Sequence, residues 1–137
     1  MIYSKQKQAG RYSRKKRQVA DNTPEKTIQQ AVEYILKLNH IKYIHIPEDL
    51  QRYLKLYAPM NIKKIASNAL KGIPDIIAFM GDKCLLLELK SGKGRLTQGQ
   101  REWHRGCNVH VTHGMDEALN VVNKWIKINM MLSSNVL

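Results

Sequence analysis

Two apolar segments with a short turn between them constrain the fold of this chain more than any other feature. Residues 76–80 and 84–89 are apolar and rich in residues that favour strands, and Gly81-Asp82 lies between them. A glycine-containing dipeptide between two such segments is typical of a tight turn. The sequence therefore predicts a β-hairpin.

The residues before this hairpin predict one helix and one strand. Thr23 is the expected N-cap of the helix and Pro24 its first helical residue, and apolar residues then recur at helical spacing until about Asn39. Residues 41–46 alternate in the manner of a strand. Residues 48–70 mix helical spacing with a proline and polar residues, so we predict a short helix followed by a loop.

The residues after the hairpin alternate between helix and strand. Residues 97–107 have a helix-forming composition, residues 108–112 form a short strand pattern, and residues 116–130 are clearly amphipathic. The predicted order is helix, three strands, helix, strand, helix. Because a helix that links two strands crosses over the sheet, this order predicts an α/β fold in which helices flank a mixed sheet.

Length and charge limit the class of protein. The chain has 137 residues, 43% of them hydrophobic, and a net charge of +12. This length predicts one domain, and no apolar run is long enough for a membrane span. Strongly basic surfaces attract polyanions, most often nucleic acids. With no secretion signal at the N-terminus and no paired-cysteine motif, we expect an intracellular, cytoplasmic protein.

Much of the positive charge lies in the N-terminal segment. Residues 1–18 contain seven lysines and arginines and no acid, and the densest run is Arg14, Lys15, Lys16 and Arg17. We predict that residues 1–20 form a flexible basic arm that binds DNA phosphates, and that residues 21–137 form the folded domain. The alternative is a disordered tail that only increases solubility.

Three charged residues lie at the open end of the predicted hairpin. Glu88 and Lys90 project from the same face of the second strand, because successive side chains alternate between faces. Asp75 opens the first strand at the same distance from the turn, so it falls opposite them. The pairing of the strands therefore brings two carboxylates and one ammonium group together.

Such a cluster favours a divalent metal ion. Partly buried carboxylates repel one another, and a bound cation removes this cost. Ligands that are all oxygen atoms select a hard ion, so we predict Mg²⁺, with Mn²⁺ as a substitute. A metal ion of this kind polarises a phosphate and activates a water molecule, and Lys90 would stabilise developing charge, so the expected reaction is phosphodiester hydrolysis.

With its surroundings, this cluster resembles a known nuclease superfamily. Pro74-Asp75 followed by Glu88-Leu89-Lys90 is similar to the PD-(D/E)XK signature. The fuller pattern resembles the virus-type replication-repair nuclease (VRR-NUC) branch. Its further parts are Gly72-Ile73, Leu96-Thr97-Gln98-Gly99-Gln100 and Asp116-Glu117-Ala118, and the likeness covers about residues 25–125.

The resemblance implies a restriction-endonuclease-like core and a set of site residues. It implies that Asp75 and Glu88 bind the metal together with the main-chain carbonyl of Leu89. Glu25 would reach the metal directly or through water, although its position in the first turn of a helix explains it equally well. The catalytic residues that the likeness implies are Asp75, Glu88, Lys90, Gln100 and Glu25.

The resemblance also implies a function. Small members of this family resemble Holliday-junction resolvases, typically encoded by bacteriophages, so we expect an endonuclease that acts on branched DNA, as in DNA repair. Cutting both arms of a junction needs two active sites, so we expect a homodimer. The alternatives are a non-catalytic basic nucleic-acid-binding protein and an RNA-directed hydrolase.

Two further groups of residues have chemical potential. Lys93 and Arg95 lie in a glycine-containing loop after the cluster, where they either hold DNA phosphates or are simply solvated. A second group, of three histidines and one cysteine, recurs at every third residue. These residues span the end of a helix and a strand, so their side chains would point in different directions and we do not expect a zinc site. Its members are His104, Cys107, His110 and His113.

Overall fold

The computed structural model describes residues 21–134, and this part of the chain forms an α/β fold. The predicted arm, including Arg14, Lys15, Lys16 and Arg17, lies outside the described residues. The described elements are α1 (Glu25–Leu38), β1 (Lys42–Ile44), α2 (Glu48–Tyr57), α3 (Met60–Leu70), β2 (Ile76–Met80), β3 (Lys83–Lys90), α4 (Gln98–Gly106), β4 (Val109–His113) and α5 (Met115–Ser134).

The four strands form one mixed sheet in the order β1-β2-β3-β4. The strand pairs β1/β2 and β2/β3 are antiparallel, whereas β3 and β4 are parallel and are joined by α4 as a crossover helix. The predicted hairpin and the predicted mixed sheet with flanking helices are therefore confirmed.

The start of α1 differs from the prediction. Pro24, and not Thr23, occupies the cap position, and its carbonyl accepts a hydrogen bond from the main-chain N–H of Ile28 (3.1 Å). The hydroxyl of Thr23 instead donates to the carboxylate of Asp21, which also accepts from the main-chain N–H of Thr23 (3.0 Å). Because the Thr23 hydroxyl is engaged by Asp21, the Thr23 side chain does not cap the helix.

The segment between β1 and β2 also differs from the prediction of a short helix and a loop. It contains two helices, and each begins directly after a proline, Pro47 for α2 and Pro59 for α3. Proline lacks an N–H group, but the first residues of a helix do not need that group, so proline is tolerated there. Pro59 therefore starts a second helix rather than ending the helical segment.

The first strand is shorter than expected. It covers three residues, whereas we predicted a strand over residues 41–46. At its start, the main-chain N–H of Ile41 donates to the carbonyl of Leu36 at the end of α1 (2.9 Å), so Ile41 belongs to the helix end. At its other end, the side chain of His45 contacts the main chain just before β2.

The hydrophobic core fixes β3 in place. Leu85, Leu87 and Leu89 are buried on one face of this strand. Apolar side chains of α1 and α5 complete the core on that face: Ile28, Val32, Leu36, Ala118, Val122 and Ile126. The alternate residues of β3, including Glu88 and Lys90, therefore face the opposite side of the sheet. Of the helices within residues 21–134, none has both the length and the apolar character for crossing a membrane.

Candidate active site

The strand register brings the three predicted charged residues together. Ile76 pairs with Leu87, so Asp75 lies beside Glu88 where the β2–β3 ladder ends. One carboxylate oxygen of Asp75, Oδ2, accepts a hydrogen bond from the main-chain N–H of Leu89 (2.7 Å). The ammonium Nζ of Lys90 lies 3.3 Å from Oε1 of Glu88. The predicted juxtaposition is confirmed, whereas the catalytic roles of these residues stay predictions.

Gln100 joins this cluster from the start of α4. Its amide Nε2 donates to Oε1 of Glu88 (2.6 Å). Its amide oxygen accepts from the main-chain N–H of Thr97 (2.8 Å), and the Thr97 side chain accepts from the main-chain N–H of Gln100, which together form a capping box. Because both ends of the Gln100 amide are used, its contact with Glu88 is fixed by the helix start itself.

Two glycines hold α4 against the segment that leads to Asp75. Gly72 has a positive φ of 74°. A Cβ atom at this position would lie 2.1 Å from the main-chain carbon of Gly99, a distance that no side chain tolerates. Gly99 is buried against this loop. The close approach of two main chains therefore explains both glycines and positions Gln100.

Burial and mutual repulsion perturb both carboxylates. Burial, followed by the charge of Asp75, raises the pKa of Glu88 from 4.5 to about 7. Burial is also the main cause that raises the pKa of Asp75, and the charge of Glu25 adds to it, although the hydrogen bond from Leu89 opposes it. Two ionised carboxylates are therefore costly at neutral pH unless a cation lies between them.

Glu25 lies at the edge of the cluster. Its Oε1 accepts a hydrogen bond from the main-chain N–H of Ser91 (3.3 Å), just after β3. It lines the same cavity as Asp75, and its charge raises the pKa of Asp75. The structure therefore brings Glu25 close to the carboxylates, while its described contact is with the loop after β3.

The donor atoms suit a hard divalent cation. In a β-strand, the N–H and C=O groups of one residue point towards the same neighbouring strand. The N–H of Leu89 points at Asp75, so the Leu89 carbonyl also faces the end of β2. Leu89 lines the cavity although its side chain is in the core, as expected for an exposed main chain. Two carboxylates and one carbonyl would leave positions for water and phosphate, the usual arrangement for Mg²⁺.

No larger set of protein ligands is present in the described part of the chain. Among the residues whose side chains the structure describes, no group of three or more histidine, cysteine, aspartate or glutamate residues is arranged to hold a metal ion. A metal ion at Asp75 and Glu88 would therefore depend on the main-chain carbonyl and on water or substrate for its remaining ligands.

A cavity of about 560 Å³ opens beside the cluster. Its polar lining residues include Glu25, Gln29, His45, Gln51, Asp75 and Gln100. His45 was not predicted as a site residue. Its Nδ1–H donates to the main-chain carbonyl of Asp75 (2.8 Å), so it holds the segment that carries this carboxylate. The sequence gives little signal for this contact, because His45 and Asp75 are brought together only by the pairing of β1 with β2.

The loop with Lys93 and Arg95 lies beyond the carboxylates. Both side chains are exposed, and neither has an acidic partner among residues 21–134. The loop itself is well held, because the main-chain N–H of Gly94 donates to the carbonyl of Ser91 (2.9 Å) and His113 Nε2 contacts the carbonyl of Gly94 (2.9 Å). The two cations are thus presented to solvent next to the site rather than within it.

Asp21 is a second residue that the sequence did not reveal. Its Oδ2 accepts from the main-chain N–H of Met115 at the start of α5 (2.8 Å), and its main-chain carbonyl accepts from Gly92 (2.8 Å). Hydrogen bonds, first that from the Thr23 hydroxyl, lower the pKa of Asp21. Asp21 therefore attaches the beginning of the described chain to both the site loop and α5.

Comparisons of the chain with protein-family models, with curated proteins and with solved structures found no match. The resemblance to the VRR-NUC branch therefore stays a prediction that depends on the motifs of this sequence.

Proposed function

We propose that the chain is a Mg²⁺-dependent endonuclease that hydrolyses phosphodiester bonds in branched DNA, with a PD-(D/E)XK core of the VRR-NUC type. The observation that carries the proposal is the pair of carboxylates, Asp75 and Glu88, held together beside Lys90 with raised pKa values. A protein that only bound DNA would gain nothing from one buried and one half-buried acid that face phosphates.

Each side chain has a role in this proposal. The bound ion would polarise the phosphate and lower the pKa of a water molecule. Lys90 would stabilise the negative charge that develops on the phosphate, because its ammonium lies beside Glu88. Gln100 holds Glu88, and the N–H of Leu89 holds one oxygen of Asp75 and leaves the other for the ion. Mn²⁺ would substitute for Mg²⁺.

Charge supports DNA as the substrate. The net charge of +12 attracts a polyanion, and Lys93 and Arg95 are exposed next to the cavity without acidic partners in the described chain. We propose that these residues and the N-terminal arm bind phosphates, and that the protein acts as a homodimer so that both arms of a junction are cut. Both cysteines are free and exposed, which supports an intracellular setting.

A cleavage assay tests the proposal. The substrates are a four-way junction, a flap, a duplex and a single strand, each with Mg²⁺ or with EDTA. We expect the wild type to cut branched DNA with Mg²⁺ only, and Asp75→Ala and Lys90→Ala to bind DNA without cutting it. Asp82→Ala and Lys83→Ala are matched controls, because they remove exposed charges at the other end of the same hairpin.

Two results would count against the proposal. Cleavage by Asp75→Ala at the wild-type rate would remove these carboxylates from the reaction. Faster cleavage of an RNA substrate of the same shape would identify an RNA-directed hydrolase, because the proposed chemistry is the same for both nucleic acids.

A further inference from the structure

The helical hairpin formed by α2 and α3 exposes a group of apolar side chains. The two helices pack against each other between β1 and β2. Around the corner that joins them, Tyr57 is 71% exposed and Met60 is 81% exposed. We call the whole group the hairpin patch: Tyr53, Leu56, Tyr57, Met60 and Ile62. Exposed apolar patches of this kind are usually sites of interaction.

The two tyrosines form a pair within this patch. Tyr53 and Tyr57 are one helical turn apart in α2, and their ring centroids are 5.0 Å apart with an angle of 42° between the planes. Aromatic residues make up only 7% of the chain, and this pair remains mostly exposed. Exposed tyrosine rings are sequence-tolerant platforms for unpaired bases.

The hairpin also borders the candidate active site. Gln51 of α2 and Leu70 of α3 line the same cavity as Asp75. Gln51 and Tyr53 are two residues apart in α2, so their side chains point to nearly opposite sides of the helix. The side of α2 that carries Gln51 therefore lines the cavity, and Tyr53 lies on the other side of this helix, about one helix diameter (~10 Å) away.

Charge identifies the occupant of the patch. Lys63 and Lys64 directly follow the patch residue Ile62 in α3. A second copy of this chain carries the same excess of positive charge, which does not neutralise these cations. DNA bases come with phosphates that neutralise them, and apolar side chains such as leucine and methionine insert between bases at kinked steps.

We infer that the hairpin patch binds unpaired or unstacked bases of the DNA strand next to the cleaved phosphate. This inference depends on the proposed nuclease function for the position of the cut, and it names the feature of the DNA that is recognised. Branched DNA offers such bases at the branch point, whereas a continuous duplex keeps them stacked. The patch would therefore make binding selective for DNA structure without reading sequence.

Binding measured in EDTA, where no cleavage occurs, tests the inference. The probe is a flap carrying 2-aminopurine at the branch point, with a fully paired duplex of the same sequence for comparison. We expect the wild type to quench the fluorescence of the flap, because the base stacks on tyrosine. Tyr53→Ala/Tyr57→Ala should abolish the quenching and weaken flap binding by roughly 5- to 150-fold per stacked base, with little effect on the duplex.

Two further variants separate stacking from other causes. Tyr53→Phe/Tyr57→Phe keeps both rings and should bind the flap like the wild type. Tyr34→Ala is the matched control, because Tyr34 is 63% exposed on α1, outside the hairpin. It should leave flap binding unchanged.

Three results would overturn the inference. The first is equal flap binding by the alanine double variant and the wild type, and the second is an equal loss on the flap and the duplex. The third is a change of the double variant from dimer to monomer in sedimentation, which would assign the patch to a contact between copies. Failure of the nuclease proposal would appear separately, as a lack of cleavage with Mg²⁺ by a wild type that still quenches the flap.

Discussion

Replacing Glu88 with glutamine should change how stability depends on pH. The pKa of Glu88 is raised from 4.5 to about 7 in the folded protein. Between these values the folded state holds a proton that the unfolded state has lost, so the free energy of unfolding falls as pH rises. Glu88→Gln keeps the shape and cannot ionise. It should therefore lack this part of the pH dependence.

The size of the effect follows from the pKa difference. A difference between 4.5 and about 7 corresponds to at most about 3–4 kcal/mol, because one pKa unit is worth about 1.4 kcal/mol. The cavity beside the carboxylates is open to water, which screens the repulsion. We therefore expect the wild type to lose about 1–2 kcal/mol relative to Glu88→Gln between about pH 4.5 and pH 7.5.

Urea unfolding followed by circular dichroism measures this difference. Both proteins are unfolded in EDTA across this pH range, and the difference between them cancels the contributions of the groups that do not interact with Glu88. Mg²⁺ should then restore the stability of the wild type at the high end of the range and have much less effect on Glu88→Gln. Asp82→Asn, an exposed acid at the β2–β3 turn, is the matched control and should follow the wild type. Parallel pH curves for wild type and Glu88→Gln would refute the reasoning.

Three other predictions concern Gly72, Asp21 and the N-terminal segment. Gly72→Ala should reduce the free energy of unfolding by about 2–4 kcal/mol in a denaturation experiment, because its Cβ would clash with Gly99. Gly81→Ala, which has a positive φ but no atom near its Cβ, should lose much less, and equal losses would contradict the close approach. Asp21→Ala should lower the melting temperature because α5 loses the acceptor for Met115 N–H. Because the pKa of Asp21 is lowered, the wild type keeps this stabilisation at neutral pH and loses it only as pH falls below about 3.8. Equal melting temperatures of the wild type and Asp21→Ala at neutral pH would contradict this role of Asp21. Deletion of residues 1–18 should weaken DNA binding and flatten its salt dependence while cleavage is retained, and an unchanged salt slope would show that the arm makes no phosphate contacts.

The predictions from sequence succeeded where local patterns determine the structure. The β2–β3 hairpin has a short turn and a clear alternation, so the positions of Asp75 and Glu88 across from each other could be derived without any other part of the chain. The start of α4 was also recognisable, although its capping box and the contact of Gln100 with Glu88 were not predicted.

The remaining features depend on residues that are distant in the chain or compete locally. His45 and Asp75 are in contact although the whole α2–α3 hairpin lies between them in the chain. The close approach of Gly72 to Gly99 likewise joins two separate segments. Neither leaves a periodic signal in the sequence. Thr23 had the right type for a helix cap, but the nearby Asp21 engages its hydroxyl. Such competition between neighbouring polar groups is decided by geometry rather than by residue preference.

Mn²⁺ binding measured by electron paramagnetic resonance tests the central claim most directly, because free and bound Mn²⁺ differ in signal and no substrate is needed. The claim is that Asp75 and Glu88 together hold a divalent ion. We predict saturable binding by the wild type and by Asp82→Asn, and loss of that binding in Asp75→Asn/Glu88→Gln. Binding by this double variant with the same affinity as the wild type would contradict the claim.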